Sequence, residues 1–244
     1  MMKKYFLLLD FDGTLTPIVS RPRLAKLSAG RKNVLTKLAK RKDLAVAIVS
    51  GRELDDLKRR VGLKDVIYIG NHGFQIEAGN RLVVHPIARK SQKLMERVYK
   101  ELKAAMNIAG VIIENKKYTL SVHYRRVKPG ETGRVKRIFQ KVTRPYLANK
   151  KIKVTGGKKV FEVRPNVVWD KGKAVAWLLE RYNKGNAIPV YIGDDTTDED
   201  AFRYLNDKGE TILVGRKKTL ARRRLASIEA VYKLLKELLI DGRI

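Results

Sequence analysis

The sequence contains no cysteine and only three histidines, His72, His85 and His123, which lie far apart in the chain. Disulfides and thiolate ligands are excluded, and a zinc centre, which draws on Cys and His, is disfavoured. Any metal must therefore be held by oxygen. Acidic residues are also scarce, 25 Asp and Glu against 54 Lys and Arg in 244 residues, which gives a formal charge of +29. Such a balance ordinarily brings nucleic acid forward as a partner. Aromatic residues, however, make up only 7% and are not interleaved with the basic ones, so a stacking platform for bases is missing. The densest basic stretch, Arg216-Lys217-Lys218 to Arg222-Arg223-Arg224, lies between a strand-like and a helical segment and reads as exposed loop and helix surface. Nucleic acid is thus not the expected partner. Abundant Lys and Arg without Cys also fit a protein of a thermophile.

Long apolar runs are absent as well. No stretch approaches the roughly 18 residues needed to cross a bilayer. The start, Met1-Met2-Lys3-Lys4, leads into only a few apolar residues before Asp10, too few for a signal peptide. The expectation is a cytoplasmic, monomeric protein with no membrane partner. With 44% hydrophobic residues the chain can bury a substantial core, and its length suits one large domain or two of about 150 residues or fewer.

What the chain does contain is a short apolar run, Tyr5-Phe6-Leu7-Leu8-Leu9, that stops at Asp10-Phe11-Asp12-Gly13-Thr14. A solid apolar run ending at a turn residue reads as a strand buried on both faces of a parallel sheet. Ligands of open α/β sheets bind beyond the carboxyl ends of such strands. Asp10 and Asp12 there are either polar residues making a turn with Gly13 or a carboxylate pair whose repulsion a cation relieves. Four further runs repeat the arrangement: Leu44 to Val49 ends at Ser50-Gly51-Arg52, Val66 to Ile69 at Gly70-Asn71-His72-Gly73, Ile188 to Ile192 at Gly193-Asp194-Asp195, and Thr211 to Val214 at Gly215. Helix-compatible segments, such as Glu53 to Val61, alternate with them. This is the signature of βα units.

The middle of the chain differs. From about Ser91 a helical pattern gives way to strands with period-two alternation. In the segment Tyr118 to Arg125, Thr119, Ser121, His123 and Arg125 share one face; in Val160 to Arg164, Phe161 and Val163 face one way, Glu162 and Arg164 the other. One polar face is the antiparallel pattern. The expected fold is α/β: a doubly wound, Rossmann-like parallel-sheet core of residues 1–86 and 165–244, with a smaller α/β domain of residues 87–164 inserted at Pro86 and Pro165.

The carboxylates of this basic chain cluster in Gly193-Asp194-Asp195-Thr196-Thr197-Asp198-Glu199-Asp200, at the same sheet edge as Asp10 and Asp12. A Mg²⁺ ion held by Asp10, Asp194 and a backbone carbonyl near Asp12 would suit that edge. Ser50 offers a hydroxyl, the N–H groups around Gly51 lie near a helix start, and Lys171, opening a helical pattern that runs to Tyr182, brings a point charge. Cation and lysine together would neutralise phosphoryl oxygens and allow an anionic carboxylate to attack phosphorus.

These elements in this order, Asp10-Phe11-Asp12-Gly13-Thr14, Ser50, Lys171, and Gly193-Asp194-Asp195 with Asp198, resemble the motifs of the haloacid dehalogenase-like phosphohydrolases. The resemblance implies that Asp10 is a nucleophile forming an aspartyl-phosphate and that Asp12 protonates the leaving oxygen and then activates water. It further implies that Asp10, the Asp12 carbonyl and Asp194 hold Mg²⁺, that Ser50, Gly51 and Lys171 hold phosphate, and that Asp195 and Asp198 support the metal or Lys171. An insertion between Ser50 and Lys171 would be a cap domain that selects the leaving group.

A closer resemblance is to the trehalose-6-phosphate phosphatases. It is carried by Ser50-Gly51-Arg52, Asn71-His72-Gly73, Glu114-Asn115-Lys116-Lys117, Ser121-Val122-His123-Tyr124-Arg125, Val160-Phe161-Glu162-Val163-Arg164-Pro165, Trp169-Asp170-Lys171-Gly172 and Gly193 to Phe202. It implies sugar binding by Glu114, Lys117 and Glu162, with Arg164 beside them on the polar strand face, or else a mutual ion pair of Glu162 and Arg164. Arg52 would touch phosphate or sugar, or cap its helix, and His123 reads as a structural hydrogen-bonding residue. Lys158 departs from the arginine that the family often has there. Phosphatases of sucrose phosphate and of mannosyl-3-phosphoglycerate share the core, so another sugar phosphate is the alternative substrate. A basic nucleic-acid binding protein on the same fold is the alternative of another class, opposed by the clustered carboxylates.

Overall fold

The apolar run that ends at Asp10 forms β1 (Tyr5–Asp10), buried along its whole length in the computed structural model, which describes residues 5–19, 21–157, 159–184 and 186–243. Lys158 lies outside the described residues. The chain continues through α1 (Ala29–Ala39), β2 (Leu44–Val49), α2 (Leu54–Val61), β3 (Ile67–Gly70), β4 (Gln75–Ala78) and β5 (Arg81–Val84). Next come α3 (Pro86–Lys90), α4 (Gln92–Ala105), β6 (Ile112–Asn115), β7 (Leu120–His123), α5 (Thr132–Ala148), β8 (Ile152–Gly157) and β9 (Val160–Pro165). It closes with α6 (Lys171–Tyr182), β10 (Ile188–Gly193), α7 (Glu199–Leu205), β11 (Glu210–Val214), β12 (Arg223–Leu225) and α8 (Ile228–Asp241).

Two compact units result, one made of the chain up to Val83 together with the chain from Trp169 onward, the other spanning Val84–Val168. Pro86 opens α3 and Pro165 ends β9, so both prolines lie inside the second unit instead of at its borders. Each sits where its missing N–H costs little, at a helix start or a strand end.

In the first unit eight strands form one sheet in the order β12-β11-β10-β1-β2-β3-β4-β5. The strands from β12 to β3 are parallel, and β4 turns back antiparallel to β3. Side chains of β1 alternate between two cores, as strand geometry requires. Tyr5, Leu7 and Leu9 join Val34, Leu35 and Leu38 of α1, Leu54 and Leu57 of α2 and Val231 and Leu235 of α8. Phe6 and Leu8 join Ala174, Val175 and Leu178 of α6 and Ala201, Phe202 and Leu205 of α7. Helices on both faces explain why the run carries no polar residue before Asp10.

The chain leaves β1 towards β2 and β3 on one side and returns through β10 and β11 on the other. That makes the gap between β1 and β10 the switch point of the sheet, where α/β folds bind ligands. Register brings Asp10 opposite Val49 of β2 and Leu9 opposite Ile192 of β10. The carboxyl ends of all three strands, and hence Asp10, Ser50 and Asp194, therefore share one edge.

The second unit has a four-stranded antiparallel sheet, β6-β7-β9-β8. Met95, Val98 and Leu102 of α4 and Val135 and Phe139 of α5 pack on Leu120, Val122, Ile152 and Val163. Phe161 stacks on Tyr124 and Phe139, with ring centroids 4.9 and 4.3 Å apart. The opposite face carries Glu114, Ser121 and Glu162 in one cross-strand row. The basic stretch read as loop and helix surface contains an edge strand: Arg223-Arg224-Leu225 is β12, paired with β11. Three residues, two of them charged, present no apolar run, and charge on an edge strand discourages further pairing.

Leu8, fully buried between β1 and α6, provides a test of this packing. Leu8→Ala should cost about 2–5 kcal/mol and lower the urea midpoint, and an unchanged midpoint would contradict burial on both faces of β1.

Candidate active site

The turn after β1 is closed by its own backbone. The Phe11 carbonyl accepts from Leu15 N at 3.0 Å and Thr16 N at 2.9 Å, and Gly13 N donates to Thr16 O at 2.7 Å. Gly13 has φ +96°, and a β-carbon there would lie 2.4 Å from the Asp194 carboxylate. Glycine is therefore required for both conformation and space. Its absent side chain lets the loop after β10 close on the loop after β1.

Lys171, the first residue of α6, is 3% exposed, and its Nζ donates to Asp10 Oδ1 and to Asp198 Oδ1, each at 2.7 Å. Asp198, fully buried, also accepts from Tyr191 OH at 2.8 Å and from the backbone N–H groups of Asp194 and Asp195 at 3.0 and 2.9 Å. Both its oxygens are engaged. By contrast Asp10 Oδ2 and Asp194 Oδ1 are buried with no hydrogen-bond partner. Carboxylate oxygens of Asp10, Asp194 and Asp198 lie within 4.8 Å of one another. Buried anionic oxygens are held by a partner or cost heavily, so the unpaired two mark where a cation fits. A hard divalent ion that prefers oxygen matches this donor set.

Burial is the largest influence on Asp10, opposed by Lys171 and reinforced by Asp198 and Asp194, and it holds the carboxyl well above the usual range. Asp194 is pushed up to about 7 by burial first and then by Asp198 and Asp195. Burial works against the Lys171 ammonium, but Asp10 and Asp198 outweigh it and raise its pKa well above the ordinary value. Negative charge is in excess around one ammonium, and a cation lowers that excess. Asp195 behaves otherwise: burial raises it, yet the Thr196 N–H and Lys217 bring it below the usual range. Lys217 Nζ reaches Asp194 O at 2.6 Å and Asp195 Oδ1 at 3.2 Å. A residue read as solvated surface thus braces the acidic loop.

Ser50 follows β2 and is buried. Its Oγ accepts from Arg52 N at 3.1 Å, which leaves the hydroxyl hydrogen to donate. Gly51 is not at a helix start: α2 begins at Leu54, and its first N–H groups are met by Glu53, whose carboxylate accepts from Asp56 N at 3.0 Å, and by Gln75 Oε1, 3.4 Å from Leu54 N. The helix-terminus argument for phosphate at Gly51 therefore fails, because Arg52 and Glu53 separate it from the helix. Arg52 neither caps the helix nor projects as a free substrate arm. Its guanidinium grips both oxygens of Asp12, Nε to Oδ2 at 2.6 Å and Nη2 to Oδ1 at 2.7 Å.

On the polar sheet face of the inserted unit, Glu162 pairs with Lys116 Nζ at 3.4 Å and accepts from Ser121 Oγ at 2.7 Å. His123 Nε2 meets Glu114 Oε2 at 2.9 Å. Lys117, expected to join this set, is exposed with φ +70°, and its Nζ sits 5.5 Å from the centre of the Tyr118 ring. A positive φ at Lys117, in the tight turn between β6 and β7, sends the adjacent lysines different ways, Lys116 to Glu162 and Lys117 to the Tyr118 ring. Arg164 is buried. Sequence reasoning missed Lys116 for this reason, and missed Tyr191 because it sits in a strand that reads as wholly apolar.

A switch-point cluster of buried carboxylates around one lysine, on a doubly wound α/β sheet with an inserted α/β unit, defines a phosphatase fold of the haloacid dehalogenase-like kind. The sequence profile of the trehalose-phosphatase family matches residues 8–229. Trehalose-phosphate phosphatase B of Arabidopsis thaliana is 36% identical over 97% of this chain and 66% of its own; the trehalose-phosphate phosphatase of Mycobacterium tuberculosis H37Rv is 37% identical over 84% of this chain and 52% of its own. The solved C-terminal domain of Candida albicans trehalose-6-phosphate phosphatase is 27% identical, with TM-score 0.80, covering 100% of this chain and 93% of that one. The chain belongs to the trehalose-phosphatase family. It spans from about half to about two thirds of the length of these curated relatives.

Asp194 ties the cluster to pH. From about pH 4, the ordinary carboxyl range, to about 7 the folded state keeps a proton that the unfolded chain has released. Stability from this group is therefore present at acid pH and falls as pH rises through that window. A divalent cation reverses the sign by binding the carboxylate. MgCl₂ should raise the melting temperature clearly at pH 8 and little at pH 5.5, and equal increments at both would remove Asp194 from the cation site.

Proposed function

We propose that the chain is a Mg²⁺-dependent phosphomonoesterase that releases phosphate from trehalose 6-phosphate, working as a cytoplasmic monomer. The observation that carries this reading is the buried Lys171–Asp10–Asp198 cluster at the switch point, with unpaired oxygens on Asp10 and Asp194. Asp10, Asp194 and the Asp12 carbonyl would hold the ion, which supplies positive charge against the phosphoryl oxygens. Asp198, with both oxygens engaged, supports Lys171 and the Asp194 backbone, and Asp195 supports the loop through Lys217.

In the reaction Lys171 Nζ, the Ser50 hydroxyl and the Gly51 amide bind phosphoryl oxygens. An Asp10 oxygen attacks phosphorus as the bond from phosphorus to the sugar oxygen breaks, and Asp12 gives that oxygen its proton. The resulting carboxylate of Asp12 then takes a proton from water, whose oxygen attacks the aspartyl-phosphate and regenerates Asp10. The attacking group is an anion approaching an anionic ester, so the preorganised ammonium of Lys171 lowers a barrier set by charge repulsion.

Sugar recognition falls to Glu114, Lys116, Lys117, Glu162 and Arg164 of the inserted unit. A disaccharide presents many hydroxyls, which carboxylates accept from and Lys and Arg donate to. Another sugar phosphate remains the second reading, because those residues alone distinguish the substrates. Among the described residues no helix is long and apolar enough to cross a membrane.

Asp10→Asn should lower phosphate release by roughly 10³-fold or more with an unchanged circular dichroism spectrum, and substantial turnover would reject the nucleophile. Glu162→Ala should reduce kcat/KM for trehalose 6-phosphate about tenfold to a hundredfold and leave p-nitrophenyl phosphate nearly untouched; equal losses would remove its part in sugar recognition. Phosphate release across a panel of sugar phosphates, with and without Mg²⁺, separates the two substrate readings.

A further inference from the structure

Asp12 does not stand alone beside Asp10. The Arg52 fork that grips it is 8% exposed and is itself held from behind. Its Nη1 donates to Asp56 Oδ2 at 2.9 Å, and its Nη2 also donates to the carbonyl of Pro22 at 3.0 Å. Phe11 covers one side, with the guanidinium 5.5 Å from its ring centre.

Asp56, on the first turn of α2, is the hub of this arrangement. Besides Arg52 it accepts from Arg60 Nε at 2.6 Å and Arg60 Nη2 at 2.8 Å, with Arg59 Nη2 more distant at 3.5 Å. Arg60 in turn anchors on the carbonyls of Arg23 and Ala25 at 2.8 and 2.9 Å. Positions 52, 56 and 60 are spaced by four and so fall on one side of the helix and its lead-in. Exposed pairs at this spacing contribute little. Here the guanidinium is buried and two-pronged, which is the geometry that fixes orientation and not only charge. Burial raises the Asp56 carboxyl, but the hydrogen bonds from Arg60 and Arg52 prevail and keep it below the usual range.

We propose that Asp56 is a positioning residue for the proton-transfer carboxylate: acting through Arg52, it fixes the plane in which Asp12 is docked. The inference rests on the role of Asp12 proposed above. A proton donor misplaced by about 1 Å can lose on the order of a hundredfold in rate. Neither Asp56 nor Arg60 touches the reacting atoms.

The test uses a series of substituted phenyl phosphates, because an acidic phenol leaves without help while a weakly acidic one needs the proton. In Asp56→Asn, kcat/KM should fall about ten- to a hundredfold for phenyl phosphate and less than about twofold for dinitrophenyl phosphate, so that the dependence on leaving-group pKa steepens. Arg60→Gln, which leaves Asp56 in place and withdraws its outer partner, should steepen it in the same direction and carries the test if Asp56→Asn does not fold. The double variant Arg52→Lys with Asp56→Asn should be no worse than Arg52→Lys alone. Equal losses along the series, as a merely structural role would give, or additive losses in the double variant overturn the inference. Asp12→Ala should steepen the dependence most; if it does not, the assignment of Asp12 fails, whereas failure of the Asp56 and Arg60 variants alone overturns only the inference drawn here.

Discussion

One ammonium group, Lys171 Nζ, lies 2.7 Å from a carboxylate oxygen of each of two residues, Asp10 at the end of β1 and Asp198 in the segment after β10, almost out of reach of solvent. Burying such charges unpaired would cost several kcal/mol per ion, so the three groups tolerate burial only together. The surroundings are arranged around that constraint. Tyr191 and two backbone amides satisfy the rest of Asp198. At Gly193 a β-carbon would come 2.4 Å from the Asp198 carboxylate, so the strand must end in glycine for the loop to turn inward. Helix α6 begins where it does because Asp170 caps it, accepting from Lys173 N at 2.8 Å, and this places Lys171 in the first turn.

Hydrogen-bond accounting separates residues that chemistry alone would treat as equivalent. Asp194 and Asp198 are both buried aspartates of one loop. One has spent its oxygens on an ammonium, a phenol and two amides; the other retains an unpaired oxygen. The same reasoning moves Arg52 from a reaching arm to a docking group, since both prongs are already used on Asp12. Roles in a polar cluster follow from what each atom has left to offer.

Much of this was legible in the amino-acid order. A strand buried on both faces must be apolar throughout, and β1, β2, β3, β10 and β11 announced themselves for that reason, together with the residues at their ends. The period-two pattern of β7 and β9 likewise exposed the polar face carrying Glu162. Short strands with charged residues, such as β12, have no such signature, and neither has the edge pair β4 and β5. Side-chain partners were the least legible. Whether Lys116 or Lys117 meets Glu162 depends on a positive φ at Lys117, and the link from Asp56 to Arg52 and Arg60 rests on a spacing of four that a helix-compatible pattern alone does not single out.

The inserted unit owns its hydrophobic core: residues of α4, α5 and its four strands pack on one another in a cluster separate from the two that flank β1. Substitutions on its polar face thus leave its own packing intact. A unit that packs on itself can be exchanged as a block, so a different insertion can be grafted between β5 and α6 without rebuilding the cores around β1.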